Sequence, residues 1–158
     1  MSVTVSEGED GKQNVTIDAR LHFHEKGRTL AADDPRVERW ISGIKEHWEG
    51  AKGDYNVTVN IDIAISPRGA ISNQVVSGSR SQHGFWTSGS DGWTAAHEFG
   101  HALGLLDLQK GVSYDLGQQL YYLNRKTSIM WYYRYDGVRS NPRNSASEWD
   151  VMWAIERN

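Results

Sequence analysis

Hydrophobic and polar positions alternate most cleanly in two stretches of the chain. In the first, Val15, Ile17, Ala19, Leu21 and Phe23 are interleaved with Thr16, Asp18, Arg20, His22 and His24. A period of two sends one set to each face of an extended chain, so this stretch reads as a half-buried strand. Tyr55 to Ile65 repeats the pattern, with Tyr55, Val57, Val59, Ile61, Ile63 and Ile65 on one face. Between them the period changes. Val37, Trp40, Ile41, Ile44 and Trp48 recur at helical spacing and form one stripe to pack on the sheet. Asp34-Pro35 opens that helix, with Asp as N-cap and Pro at the first helical position. Gly50 and Gly53 are expected to end it.

Pro67-Arg68-Gly69 turns the chain, and short strands are expected around Gln74 to Ser77 and Gln82 to Thr87. The loop from Ser88 to Gly92 can cap a second helix through Ser90 or Asp91, and that helix is expected from about Trp93 to Leu106. An irregular region follows to about Asn144. Ser145 to Glu148 reads as a capping box for a last helix, whose apolar stripe is Trp149, Met152 and Trp153. Ser2 to Asn14 is polar and acidic, with Gly8 and Gly11, and reads as an arm or linker. The expected organisation is therefore a polar arm over residues 1–14 and a single domain over residues 15–158, of α+β class.

Composition narrows the function classes. At 158 residues the chain fits one domain with its own core. A net charge of -3 supplies no basic field, so nucleic acid is not an expected partner. No apolar run approaches membrane-spanning length. A monomer is expected. There is no cysteine, which excludes disulfides, thiolate ligands and a cysteine nucleophile. Residues 1–20 lack the basic start and apolar stretch of a signal peptide. The expectation is either a cytosolic chain or a domain of a longer exported protein. Tyr121, Tyr122, Trp131, Tyr132, Tyr133 and Tyr135 concentrate aromatic bulk late in the chain. They suit a second small core or the wall of a pocket for an apolar side chain.

The chemistry concentrates in His97-Glu98-Phe99-Gly100-His101-Ala102-Leu103-Gly104-Leu105-Leu106-Asp107. His97 and His101 are four apart, so a helix presents both from one face, about one turn apart. Two such imidazoles can reach one zinc ion at about 2.0–2.1 Å. Glu98 beside the first ligand can touch the reacting water without taking a coordination place. In a shuffled chain of this composition an H-E-x-x-H match arises with odds of roughly one in a hundred. Adding the Gly and the Asp lowers that to roughly one in ten thousand. A third ligand six residues after His101 requires the chain to turn sharply, and Gly104 permits the backbone angles for that. Asp107 is then expected as the carboxylate ligand, with a plain loop residue as the alternative reading.

This segment resembles the metzincin clan of zinc peptidases, whose pattern is H-E-x-x-H-x-x-G-x-x-H followed by a Met-turn. Asp107 stands where most members have His, and this form is similar to the snapalysin-like enzymes. Ser128-Ile129-Met130-Trp131-Tyr132 resembles the clan's Met-turn, with Met130 as the apolar floor beneath the metal. Tyr132 resembles the tyrosine of astacins and serralysins that ligates zinc or swings to the oxyanion. Asp150 to Ile155 is similar to the clan's C-terminal helix.

The resemblance implies a metzincin-like fold: a twisted mixed sheet, a backing helix, an active-site helix, and an irregular C-terminal part ending in a helix. It implies Zn2+ held by His97, His101 and Asp107, Glu98 as general base, and hydrolysis of a peptide or protein substrate. The strand before the active helix, within Gln82 to Thr87, is expected to pair with that substrate.

Other candidates have plainer readings beside the functional one. His22 and His24 share a strand face and could bind a second metal or form part of a solvated polar face. His47 suits the dipole at a helix C-terminus. His83 is either a surface histidine or a substrate contact. Ser81, Ser88 and Ser90 lie near histidines without a nucleophile-elbow motif. Two whole-protein alternatives stand beside the peptidase: a catalytically silent zinc-stabilised binding module, and the peptidase domain of a bacterial toxin or effector. The latter would be delivered out of its producing cell and restrained by a cognate inhibitor protein. The presence of Glu98 favours turnover over silent binding.

Overall fold

The computed structural model describes residues 1–9, 11–77, 85–105, 108–109, 128–135, 138–140 and 144–158. Strands β1 (Ser2–Glu7) and β2 (Gln13–Glu25) form an antiparallel pair, with Ser2 opposite Asp18 and Glu7 opposite Gln13. The stretch read as a polar arm therefore supplies an edge strand. Its side chains are largely exposed, so no apolar face announces it; ladder hydrogen bonds to β2 hold it. Along β2 the alternation behaves as expected, with Val15, Ile17, Ala19, Leu21 and Phe23 all buried. Lys26 and Gly27 adopt positive φ and turn the chain so that β3 (Arg28–Thr29) pairs back on β2.

Helix α1 (Pro35–Trp48) starts where the sequence says it should: the Asp34 carboxylate accepts from the Arg36 amide at 2.9 Å. Its stripe of Val37, Trp40, Ile44 and Trp48 is completely buried. Gly50 leads into β4 (Gly50–Lys52), which forms a hairpin with β5 (Tyr55–Ile63) around Gly53 at φ +61°. β5 lies parallel to β2, from Gln13 opposite Tyr55 to Leu21 opposite Ile63, so β2, α1 and β5 form a crossover unit. β5 stops there. The Ala64 amide bonds Leu21 O, and Ile65, expected on the buried face, is 88% exposed.

Strand β6 (Ile71–Val76) pairs with β2 parallel, beyond the point where β1 ends, and β7 (Phe85–Thr87) pairs with β6 parallel. The main sheet is thus mixed, in the order β4-β5-β2-β6-β7 with β1 and β3 added on β2. Helix α2 (Gly92–Ala102) is capped by Asp91, whose carboxylate accepts from the Thr94 amide at 2.9 Å. It ends earlier than the apolar pattern suggests, because Gly104 takes φ +86° and breaks the ladder. Beyond it, the region expected to be irregular contains a small sheet of β8 (Leu108–Gln109), β9 (Trp131–Tyr135) and β10 (Val138–Ser140). Helix α3 (Glu148–Arg157) closes the fold. Its capping box uses Ser147 and Asp150, not Ser145 and Glu148. Ser145 instead bonds His47 Nδ1 at 3.1 Å. The class is α+β, and among the described residues no helix is long and apolar enough to cross a membrane.

One core joins these layers. Phe23 of β2 meets Trp40 of α1 and Trp86 of β7, with ring centroids 5.2 and 5.0 Å away. Helices α1 and α2 approach closely at Gly43 and Gly92, where a Cβ on either would run into the other's backbone. Trp48 packs edge-on against Phe99 and donates its indole N–H to Ala96 O at 2.9 Å. A fully buried side chain of this size contributes about 1.5–3 kcal/mol, so α2 is fixed on its buried face by α1. Its opposite face carries the histidines.

Candidate metal centre

Gly92–Ala102 being one continuous helix puts His97 and His101 on successive turns of the same face. Their ring centroids are 5.0 Å apart with planes at 86°. Two imidazoles bound through Nε2 to one tetrahedral ion at about 2.0–2.1 Å have centroids roughly 5 Å apart. The pair therefore fits a shared ion. The other ring nitrogen of each is engaged by backbone. His97 Nδ1 lies 3.0 Å from Ile129 O, and His101 Nδ1 lies 2.9 Å from Leu105 O. A carbonyl oxygen only accepts, so both Nδ1 atoms carry the proton. That makes Nε2 the unprotonated nitrogen of each ring and holds each ring in place.

The His101 contact depends on the turn after α2. Gly104 at positive φ brings the chain back so that the Leu105 amide bonds Gly100 O while Leu105 O meets His101. The sharp turn at Gly104 therefore also fixes His101. Asp107, expected as the third ligand, lies outside the described residues. Among the described residues no group of three or more His, Cys, Asp or Glu side chains forms a metal cluster. Glu98, on the same helix, is 6% exposed.

The Ser128–Met130 turn lies under α2. Met130 is fully buried, and a side chain on Gly100 would run into its Sδ, so the thioether packs directly on the helix at Gly100. Tyr132 is placed by its backbone on β9, opposite Gln109. The turn is held by Asp150 of α3, which is 2% exposed. Its carboxylate accepts from Ser128 Oγ at 2.5 Å and the Ile129 amide at 3.2 Å, and from the Ser147 amide and hydroxyl at 2.7 and 2.8 Å. Burial pushes the Asp150 carboxyl up from its ordinary range, and these hydrogen bonds pull the other way. The other end of α3 reaches the other histidine's turn, where Asn158 Nδ2 donates to Leu103 O at 3.1 Å. One helix thus braces both segments whose carbonyls hold the imidazoles.

Asp150 appears in the sequence only as part of a helix resembling the clan's last one. Its role in the turn had no local signal, since its partners lie 21 and 22 residues away. Trp93 was also passed over. Its ring stacks on His97 with centroids 5.4 Å apart and planes at 27°. The available signal is its spacing, one helical turn before His97.

His22 does not lie on the solvated face expected for it. His22 is 4% exposed and bonds Ser72 Oγ at 3.2 Å and Thr29 Oγ1 at 3.1 Å, using both ring nitrogens. His24 stacks on it at 5.6 Å, and burial with that neighbour lowers the His22 pKa. Ser90 bonds Thr87 Oγ1 at 2.7 Å within the capping loop. His83, Ser81, Tyr121 and Tyr122 lie outside the described residues. No protein-family model, curated protein or solved structure matches the chain.

Proposed function

We propose that the chain is a zinc-dependent endopeptidase of metzincin type, with His97, His101 and Asp107 as ligands and Glu98 as general base. One observation carries this reading: His97 and His101 share a helix face at ion-sharing separation, each with Nδ1 engaged by a backbone carbonyl. Histidines that merely fill a core or face solvent have no need of matched tautomers. Buried Met130 beneath α2 supports the same reading.

Zinc held by His97, His101 and Asp107 would supply a Lewis acid toward the attacking water and the scissile carbonyl. Glu98 takes the proton of the attacking water and delivers it to the leaving amine. Tyr132 donates to the oxyanion of the tetrahedral intermediate. Ile129 O and Leu105 O keep the two imidazoles in register. Among the described residues β7 is the last strand of the main sheet on its side, paired with β6 alone. An extended peptide adds to that edge next to α2, which fits a peptide or protein substrate.

The test is a peptide library incubated with purified protein, with and without chelator, beside elemental analysis. Near-stoichiometric zinc and chelator-sensitive cleavage are expected. Glu98→Gln should keep zinc and lose about two to four powers of ten in rate. Asp107→Ala should weaken zinc binding more than Asp115→Ala. A zinc-loaded wild type that cleaves nothing, with Glu98→Gln indistinguishable from it, would return the protein to the class of zinc-stabilised binding modules.

A further inference from the structure

We infer that Trp93 is a positioning residue for the metal ligand His97 and favours the metal-bound form of its imidazole. The inference rests on the proposed zinc site. The hydrogen bond from Nδ1 to Ile129 O fixes one atom of the His97 ring and leaves the tilt of its plane open. The Trp93 indole closes that freedom, lying against the imidazole face at 5.4 Å and 27°. Helical spacing alone brings the two side chains together, one turn apart on α2.

The indole is itself held. Its Nε1 donates to Asn144 O at 2.9 Å, and Asn144 Nδ2 donates to Ser128 O at 3.2 Å. Ser128 precedes Ile129, whose carbonyl takes the His97 Nδ1 proton. The contacts around the imidazole therefore close on themselves: Trp93, Asn144, Ser128, Ile129 and back to His97. A surface tryptophan packed for bulk alone would not have its N–H tied into the segment that orients the ligand.

The stack also has an electronic sense. An imidazole that gives its lone pair to a dication becomes electron-poor, and the indole face is electron-rich. The stack is therefore stronger in the metal-bound form than in the empty neutral one. A leucine retains apolar bulk but offers no π face, whereas a phenylalanine retains the face and loses only the N–H anchor.

The experiment compares wild type, Trp93→Phe and Trp93→Leu by zinc competition against a chromophoric chelator. It adds the visible absorption of the Co2+-loaded proteins, which reports the angles of the ligands directly. Trp93→Leu should bind zinc about two- to fivefold more weakly and show a shifted Co2+ band. Trp93→Phe should recover most of both. Equal zinc affinity and superimposable Co2+ spectra in Trp93→Leu would overturn the inference while leaving the zinc site standing. A wild type that binds no metal overturns the zinc site, and this inference with it. If Trp93→Leu does not fold, Co2+ titration of intrinsic fluorescence decides. Wild type should show a quenching component that Trp93→Phe lacks, and identical quenching in the two would overturn the placement.

Discussion

Replacing Asp150 by alanine tests the bracing of the proposed metal site most directly. The substitution removes the acceptor for four hydrogen bonds, from Ser128 Oγ, the Ile129 amide, and the amide and hydroxyl of Ser147. Ile129 and Ser128 are 0% and 2% exposed, so water does not replace the lost acceptor. A buried donor left without a partner costs about 1–3 kcal/mol, and loss of the cap costs about 1 kcal/mol more. Relief from burying a carboxylate, which pushes its pKa up, offsets part of this. The net expectation is a loss of about 2–4 kcal/mol. For a domain of this size that lowers Tm by roughly 5–15 °C.

Asparagine should recover little, because its amide group points a donor at one of the waiting donors. Calorimetry of the metal-free proteins measures the stability loss. Zinc competition should show weaker binding in both variants, since Ile129 O holds His97. An Asp150→Ala protein that melts within about 2 °C of wild type and keeps its zinc affinity would refute the reasoning.

Four further outcomes are expected. Gly100→Ala drives a methyl group into Met130 Sδ and should cost about 1–3 kcal/mol, measured by denaturant melts; a neutral effect would show that Met130 is free to move aside. Gly43→Ala meets the Gly92 backbone, which cannot yield as a side chain can, so it should destabilise more than Gly100→Ala in the same assay. Tyr132→Phe should lower turnover about tenfold or more with zinc content intact, and an unchanged kcat would remove Tyr132 from the chemistry. The His22 pKa is lowered by burial and by His24, so the neutral ring is favoured in the fold. The stability this contributes is present above the ordinary histidine pKa of about 6.5 and is lost as pH falls through it toward the folded value. Chelator-treated wild type should lose Tm faster than His22→Gln on acidification, and parallel slopes would count against it.

What could be read from the chain was whatever depended on neighbours in sequence. The α1 stripe, the Asp34 cap, the β2 alternation and the pairing of His97 with His101 all depend on local periodicity, and each stands in the fold. The failures share a different cause. β1 packs only Val3 against the core, and that partly buried, so it depends chiefly on the ladder that β2 offers it. Ile65 continues an alternation after the neighbouring strand has stopped pairing. Ser145 and Ser147 offer two overlapping cap registers, each followed three residues later by an acid. The choice falls to Ser147 because Asp150 is also needed by Ser128 and Ile129. The contacts that orient His97 likewise join residues 93, 129, 144 and 150, and no spacing rule connects them.

The brace formed by α3 also carries a consequence for the order of events during folding. The helix bearing both histidines can form early from its own cap and its contact with α1. His101 finds its carbonyl four residues on, but His97 acquires its bearing only when Ile129 arrives, 32 residues later, and the Ile129 amide is bound by Asp150, a further 21 residues on. Each of these long loops must close before its contacts repay the entropy lost. Orientation of the His97 ring is therefore among the last steps, and a nascent chain that has not yet delivered α3 has His97 without the frame that aims it.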